Sequence, residues 1–166
     1  MLRNYKRLYE LSRKAGEMLR EKGMSLSLAE SCTGGLISAL ITEIPGSSDY
    51  FEGSVVSYSN KVKEKLLGVS EEVLKEHGAV SEPCASEMAK GVRKRLKTSV
   101  SLSVTGIAGP AGGSLQKPVG TVFISVSGEK RTMVRQFHFK GMRGEIREQT
   151  ADAALTMLTE FLEGMN

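Results

Sequence analysis

Apolar residues recur three and four positions apart at Leu8, Leu11, Ala15, Met18 and Leu19. That spacing predicts an amphipathic helix over residues 5–22 with a charged outer face, closed by Gly23. A short apolar strand is expected at Ser25–Ala29. Leu36, Ile37, Leu40, Ile41 and Ile44 return to helical spacing, and Pro45-Gly46 stops them. A polar link over residues 47–51 leads to a second strand at Gly53–Tyr58. Val62, Leu66 and Leu67 mark a short helix beginning at Asn60-Lys61. Ser70 caps a further helical turn, and Ser81-Glu82-Pro83 opens a longer helix buried through Ala85, Met88, Ala89, Val92 and Leu96. Val100, Leu102 and Val104 alternate as a strand. A glycine-rich loop follows, then two strands at Val119–Ser127 and Thr132–Phe139 joined at Gly128-Glu129, and a last helix over Ile146–Leu162.

Helices separate the early strands and a hairpin closes the series. This order predicts an α/β fold, a single three-layer domain with a mixed β-sheet flanked by helices. The domain is expected to occupy residues 1–166, with the 1–22 helix packed on it. There is no internal repeat or low-complexity linker. Ligands of such sheets lie beyond the carboxyl ends of the strands. Polar groups arrive there at Glu30-Ser31, Tyr58-Ser59 and Thr105-Gly106.

Composition narrows the possibilities. The chain has 166 residues, 40% hydrophobic and 25% charged, which suits one globular domain with a full core. No apolar run is long enough for a membrane span and no secretory signal opens the chain, so a cytoplasmic location is expected. The two cysteines, Cys32 and Cys84, form no metal-like or redox-like pair, and His77 and His138 lie far apart. Neither a metal nor a cofactor is expected. The net charge of +4 gathers near Lys90–Lys97, at a helix end where basic residues complement the dipole. No aromatics interleave with them, which argues against nucleic acid as the partner and leaves a small anionic ligand.

Candidate chemistry concentrates in three places. In Glu30-Ser31-Cys32-Thr33-Gly34-Gly35 a strand turns sharply into a helix, so backbone N–H groups and the helix dipole could hold an anion or a developing oxyanion. Glu30, Thr33, Gly34 and Gly35 are therefore candidate substrate contacts. The loop after Thr105, with Gly106, Gly109 and Gly112, matches neither a Walker motif nor a dinucleotide fingerprint, but its glycines permit close backbone approach to a ligand. In Tyr58-Ser59-Asn60-Lys61, a lysine at a helix start opposes the dipole and reads as a candidate general base. A serine needs such a base to become a nucleophile, and Ser48 and Ser31 are both candidates. Cys32 would need a histidine base that the spacing does not supply, so a buried structural cysteine is the simpler reading. Arg143 and Arg147, four apart, share a helix face and suit a phosphate or carboxylate.

Taken in order, Ala29-Glu30-Ser31-Cys32-Thr33-Gly34-Gly35, Pro45-Gly46-Ser47-Ser48, Tyr58-Ser59-Asn60, Gly78-Ala79-Val80-Ser81, Thr105-Gly106-Ile107-Ala108-Gly109-Pro110 with Gly112-Gly113, and Lys117-Pro118-Val119-Gly120-Thr121-Val122 resemble the CinA C-terminal domain family. The similarity runs from about Gly23 to the end. The resemblance implies a nicotinamide-nucleotide amidohydrolase of the PncC type. Such an enzyme converts nicotinamide mononucleotide to nicotinate mononucleotide and ammonia in pyridine nucleotide recycling, without a metal and as a homo-oligomer, a dimer. It also implies a serine amidase assisted by lysine and tyrosine, which carries onto Ser48, Lys61 and Tyr58, with Ser31 as the other serine. The family pattern reads Gly-Asp-Arg before the last helix, where this chain has Gly141-Met142-Arg143. A nucleotide-binding module without turnover, or a competence-related interaction domain, is the alternative.

Overall fold

The computed structural model describes residues 3–165. Its elements are α1 (Tyr5–Glu21), β1 (Leu26–Glu30), α2 (Leu36–Thr42), a 3-10 turn (Ser47–Asp49), β2 (Phe51–Val56), α3 (Asn60–Leu67), α4 (Glu71–Glu76), α5 (Glu82–Leu96), β3 (Val100–Gly106), β4 (Thr121–Ser127), β5 (Thr132–His138) and α6 (Arg143–Glu163). The five strands form one sheet in the order β2-β1-β3-β4-β5. β2, β1 and β3 run parallel, and β4 and β5 complete the sheet antiparallel. The mixed α/β sheet expected from the strand-and-helix order is present. Two of the boundaries that differ bear on the site. β2 begins at Phe51 and ends at Val56, so Tyr58 lies beyond the strand, and α6 begins at Arg143, which puts both candidate arginines on it.

The two faces of the sheet are chemically different. Successive side chains of a strand point to opposite faces. One set, including Leu26, Leu28, Leu102, Val104, Ile124 and Val126, packs with α1, α2 and α6 in the main core. The other set is mostly small and polar: Ser27, Ser101, Ser103, Ser125 and Ser127 are all fully or almost fully buried. Sequence alternation in β3 alone suggests a half-solvated strand, yet α5 covers this face. The Ser101 hydroxyl donates to the Ala89 carbonyl and the Ser103 hydroxyl to the Ala85 carbonyl, each at 2.6 Å. Strand positions two apart thus meet helix positions four apart, and alanines let the backbones come close. Each such bond contributes about 1 kcal/mol net.

α5 in turn holds α3. A Cβ built at Gly91 on α5 would lie 1.8 Å from the Leu67 carbonyl oxygen, so only glycine admits the end of α3 at this distance. Leu67, Val69, Cys84, Met88 and Val92 seal the contact in a second apolar cluster with Ala29 of β1. α3 is therefore fixed against the carboxyl end of β1. Among the described residues, no helix is long and apolar enough to cross a membrane.

Candidate active site

The alternation along β1 decides where its last groups go. Leu26 and Leu28 face α2, and Glu30 follows them on that side. Ser31 continues the opposite side, toward α3 and α5, and its N–H extends the ladder to the Val104 carbonyl at 3.0 Å.

Glu30 is 1% exposed and surrounded by donors. Its Oε2 accepts from the Thr33 hydroxyl (2.6 Å), Gly35 N–H (3.0 Å) and Ile37 N–H (3.2 Å). Its Oε1 accepts from the Ser38 N–H (2.8 Å) and the Ser38 hydroxyl (2.5 Å). The free N–H groups at the start of α2, the expected anion site, are filled by the protein's own carboxylate. Glu30, Thr33, Gly34 and Gly35 shape the turn instead of lining the cavity beside it. Arg147 likewise looks inward, with Nη2 and Nε donating to the Thr33 carbonyl at 2.6 and 3.2 Å.

On the other side of the turn, Lys63 of α3 is 2% exposed. Its Nζ lies 3.0 Å from Ser31 Oγ and 2.7 Å from the Ser57 carbonyl. Among the described residues no carboxylate pairs with it. Burial therefore disfavours its charged form and lowers its pKa from the ordinary lysine value, with the thiols of Cys84 and Cys32 acting weakly the other way. A serine hydroxyl at hydrogen-bond distance from an amine that loses its proton readily is an arrangement in which the amine can serve as base and the serine as nucleophile. Cys32 also borders the cavity, but burial pushes its thiol up to about 11; Cys84 is pushed to the same value for the same reason. Both thiols stay protonated near neutrality.

The pair opens into a cavity of about 280 Å³ lined by Ser31, Tyr58, Asn60, Lys63, Thr105, Gly106, Gly109, Gly112 and Arg143, among others. That volume is at the small end for ligand sites. Arg143 stands at the mouth, with Nη1 donating to the Gly109 carbonyl and Nη2 to the Tyr58 hydroxyl, each at 2.8 Å. It thereby joins the start of α6, the loop after β3 and the link after β2. The Thr105 hydroxyl donates to the Ala79 carbonyl at 2.7 Å and closes the floor. Among the described residues, no three His, Cys, Asp or Glu side chains gather as they would around a metal ion.

The structure thus brings together Ser31, Tyr58, Thr105, Gly106, Gly109, Gly112 and Arg143. It separates Ser48 and Lys61 from them. Ser48 lies in the 3-10 turn before β2, at the amino end of the parallel strands, while the cavity is at the carboxyl end. A five-residue strand puts about 15 Å between these ends. Ser48 is exposed, and Lys61 turns to solvent on the first turn of α3. Lys63 is not singled out by any motif, although it sits four residues before Leu67 and hence on the same helix face. Asn60, at the first position of α3, stands out in the sequence only as part of the Tyr58-Ser59-Asn60 motif and not as a candidate contact, yet it lines the cavity.

An α/β domain with a polar cavity at the strand carboxyl ends is a frame shared by many proteins, and sequence comparison narrows it. Residues 8–162 match the model of the CinA C-terminal domain, and the chain belongs to that family. It is 51% identical over 152 residues to a CinA-like protein of Syntrophobacter fumaroxidans, covering 92% of this chain and 36% of the relative. It thus spans about a third of the length of the curated relatives it matches. A crystal structure of the competence damage-inducible protein A of Klebsiella pneumoniae superposes with a TM-score of 0.93 at 31% identity, covering 96% of this chain and 99% of that one. The competence/damage inducible protein CihA of Agrobacterium tumefaciens superposes with a TM-score of 0.91 at 40% identity, covering 95% and 96%.

Proposed function

We propose that this chain is an amidohydrolase that removes the amide nitrogen of nicotinamide mononucleotide, with Ser31 as nucleophile and Lys63 as its base. The observation that carries the proposal is the buried 3.0 Å contact between Ser31 Oγ and Lys63 Nζ at the wall of a cavity. The choice of substrate rests on the family resemblance and on the cation at the mouth. Ser31 attacks the carboxamide carbon as neutral Lys63 takes its proton. The resulting ammonium passes that proton to the leaving nitrogen, the C–N bond breaks and ammonia departs. Water then attacks the nicotinoyl ester, Lys63 again serving as base, and the Ser31 hydroxyl is restored.

Backbone donors suit the transient oxyanion. Among the described residues, neither the Cys32 nor the Ala108 N–H is bonded to a carbonyl. The Cys32 amide directly follows the nucleophile, the position that supplies a donor in other serine hydrolases. A preorganised donor of this kind contributes on the order of 3 kcal/mol to the transition state. Arg143 and the first N–H groups of α3 at Asn60 hold the phosphate by charge and dipole. Tyr58, bonded to Arg143, orients that guanidinium.

Ammonia release from nicotinamide mononucleotide by the purified chain, followed by an enzyme-coupled assay, tests the reading. Turnover abolished by Ser31→Ala and retained by Ser48→Ala supports it. Absence of turnover in the wild-type chain, with thermal stabilisation by the mononucleotide, points instead to a nucleotide-binding module.

A further inference from the structure

The turn carrying Ser31 is gripped from two sides through one residue. Thr33 is fully buried. Its hydroxyl donates to Glu30 at 2.6 Å, and its carbonyl accepts both Nε and Nη2 of Arg147. The Arg147 fork comes from α6, 114 residues further along the chain. A two-pronged guanidinium fixes a carbonyl in direction as well as in place, which a single ammonium does not. Between these grips the turn is closed by Gly34 N–H on the Ser31 carbonyl at 3.1 Å. Neither Glu30 nor Arg147 lines the cavity that Ser31 shares with Lys63.

We propose that Arg147 and Glu30 are positioning residues for Ser31, holding Thr33 from opposite sides so that the serine hydroxyl stays aimed at Lys63. The inference rests on the amidohydrolase reading with Ser31 as nucleophile. It gives Arg147 a task different from that of Arg143, although the two stand four apart on one helix. Arg143 meets the substrate, whereas Arg147 acts through the turn. A displacement of about 1 Å at a nucleophile costs about 10²-fold in rate.

The test follows covalent labelling of Ser31 by a fluorophosphonate probe, read as added mass per chain, beside kcat and KM for nicotinamide mononucleotide. Arg147→Met is expected to slow labelling by about 10²-fold and to lower kcat in parallel, with KM within about threefold of wild type. Thr33→Val, which keeps the carbonyl and loses the hydroxyl, is expected to slow labelling by about tenfold, about one strong hydrogen bond's worth. It also decides the matter where Arg147→Met fails to give a folded chain by thermal unfolding. Labelling of either folded variant at the wild-type rate overturns the inference. So does a raised KM with unchanged labelling, which would make Arg147 a substrate contact. A wild-type chain that neither labels nor turns over removes the nucleophile, and both readings fall. Wild-type labelling with unaffected variants removes only this one.

Discussion

Two serine-bearing turns stand at opposite ends of β1, and they are close in local chemistry. One is Ser31 through Gly35, leading into α2. The other is Gly46 through Asp49, a 3-10 turn leading into β2. Both carry glycines at positive φ, hydroxyls and a nearby acid. At the first, the acid is buried and captures the helix N-terminus, which leaves the serine free to face Lys63. At the second, Asp49 is an exposed partner of Arg20, whose Nη2 also donates to the Pro45 carbonyl at 2.9 Å. On the proposed reading, the same residue types serve a nucleophile in one place and a strand lead-in in the other. The difference is what the opposite side of the sheet brings to each.

The largest expected effect breaks or confirms this contrast directly. Ser31→Ala and Lys63→Met should each lower kcat for nicotinamide mononucleotide deamidation by at least about 10³-fold, the scale of losing a nucleophile or its positioned base. Ser48→Ala and Lys61→Met should stay near wild type, since both are exposed and lie outside the cavity. Steady-state ammonia assays on the four variants decide it. A Ser48→Ala chain that loses turnover while Ser31→Ala keeps it reverses the assignment.

The strand and helix order was readable because periodicity reports burial, and burial made the elements. The site was readable only in part. Ser31, Thr105 and the loop glycines lie at strand ends, where a sequence can place them. Lys63 was missed because lysines are usually exposed, so its place on the Leu67 face carried less weight than it should. Glu30 was read as a substrate contact because sequence shows an acid beside a helix start, but not that its carboxylate folds back onto that start. Ser48 drew attention through its motif, and only the strand direction shows that the motif lies at the far end of the sheet.

A smaller effect separates the two arginines of α6. Arg143→Met should raise KM by roughly 10–100-fold, corresponding to a charge-assisted hydrogen bond or two, while leaving the labelling of Ser31 intact. A KM unchanged within twofold would remove Arg143 from the substrate.

The pH dependence sharpens the same pair. In the proposed mechanism Lys63 acts when neutral, and burial lowers its pKa. The ratio kcat/KM should therefore rise with pH and level off below the ordinary lysine value of about 10.4. Stability moves the same way. The unfolded chain binds the Lys63 proton more tightly than the folded one, so this residue's contribution rises with pH between its folded and unfolded pKa values, and falls as pH drops through the lowered one. Thermal melts of wild type and Lys63→Met should show the variant gaining on wild type as pH falls below the ordinary lysine value of about 10.4. A gap that does not vary with pH, or a profile still rising beyond the ordinary lysine value of about 10.4, places Lys63 in water and not buried beside Ser31.

The smallest effect falls on the other turn. Gly46 has φ +77°, and a Cβ there would meet Arg20 Nη2 at 2.5 Å. Gly46→Ala forces a left-handed alanine and pushes away the side chain that ties Pro45 and Asp49. The left-handed conformation alone costs about 1–2 kcal/mol. Because Arg20 is partly exposed, its ion pair adds little to that. Chemical denaturation should show the loss, while kcat at a temperature where both chains are folded should not change, since the strain sits a strand length from Ser31. A Gly46→Ala chain of undiminished stability but lowered kcat would mean that the amino end of the sheet feeds the reaction after all. The contrast between the two turns would then have to be redrawn.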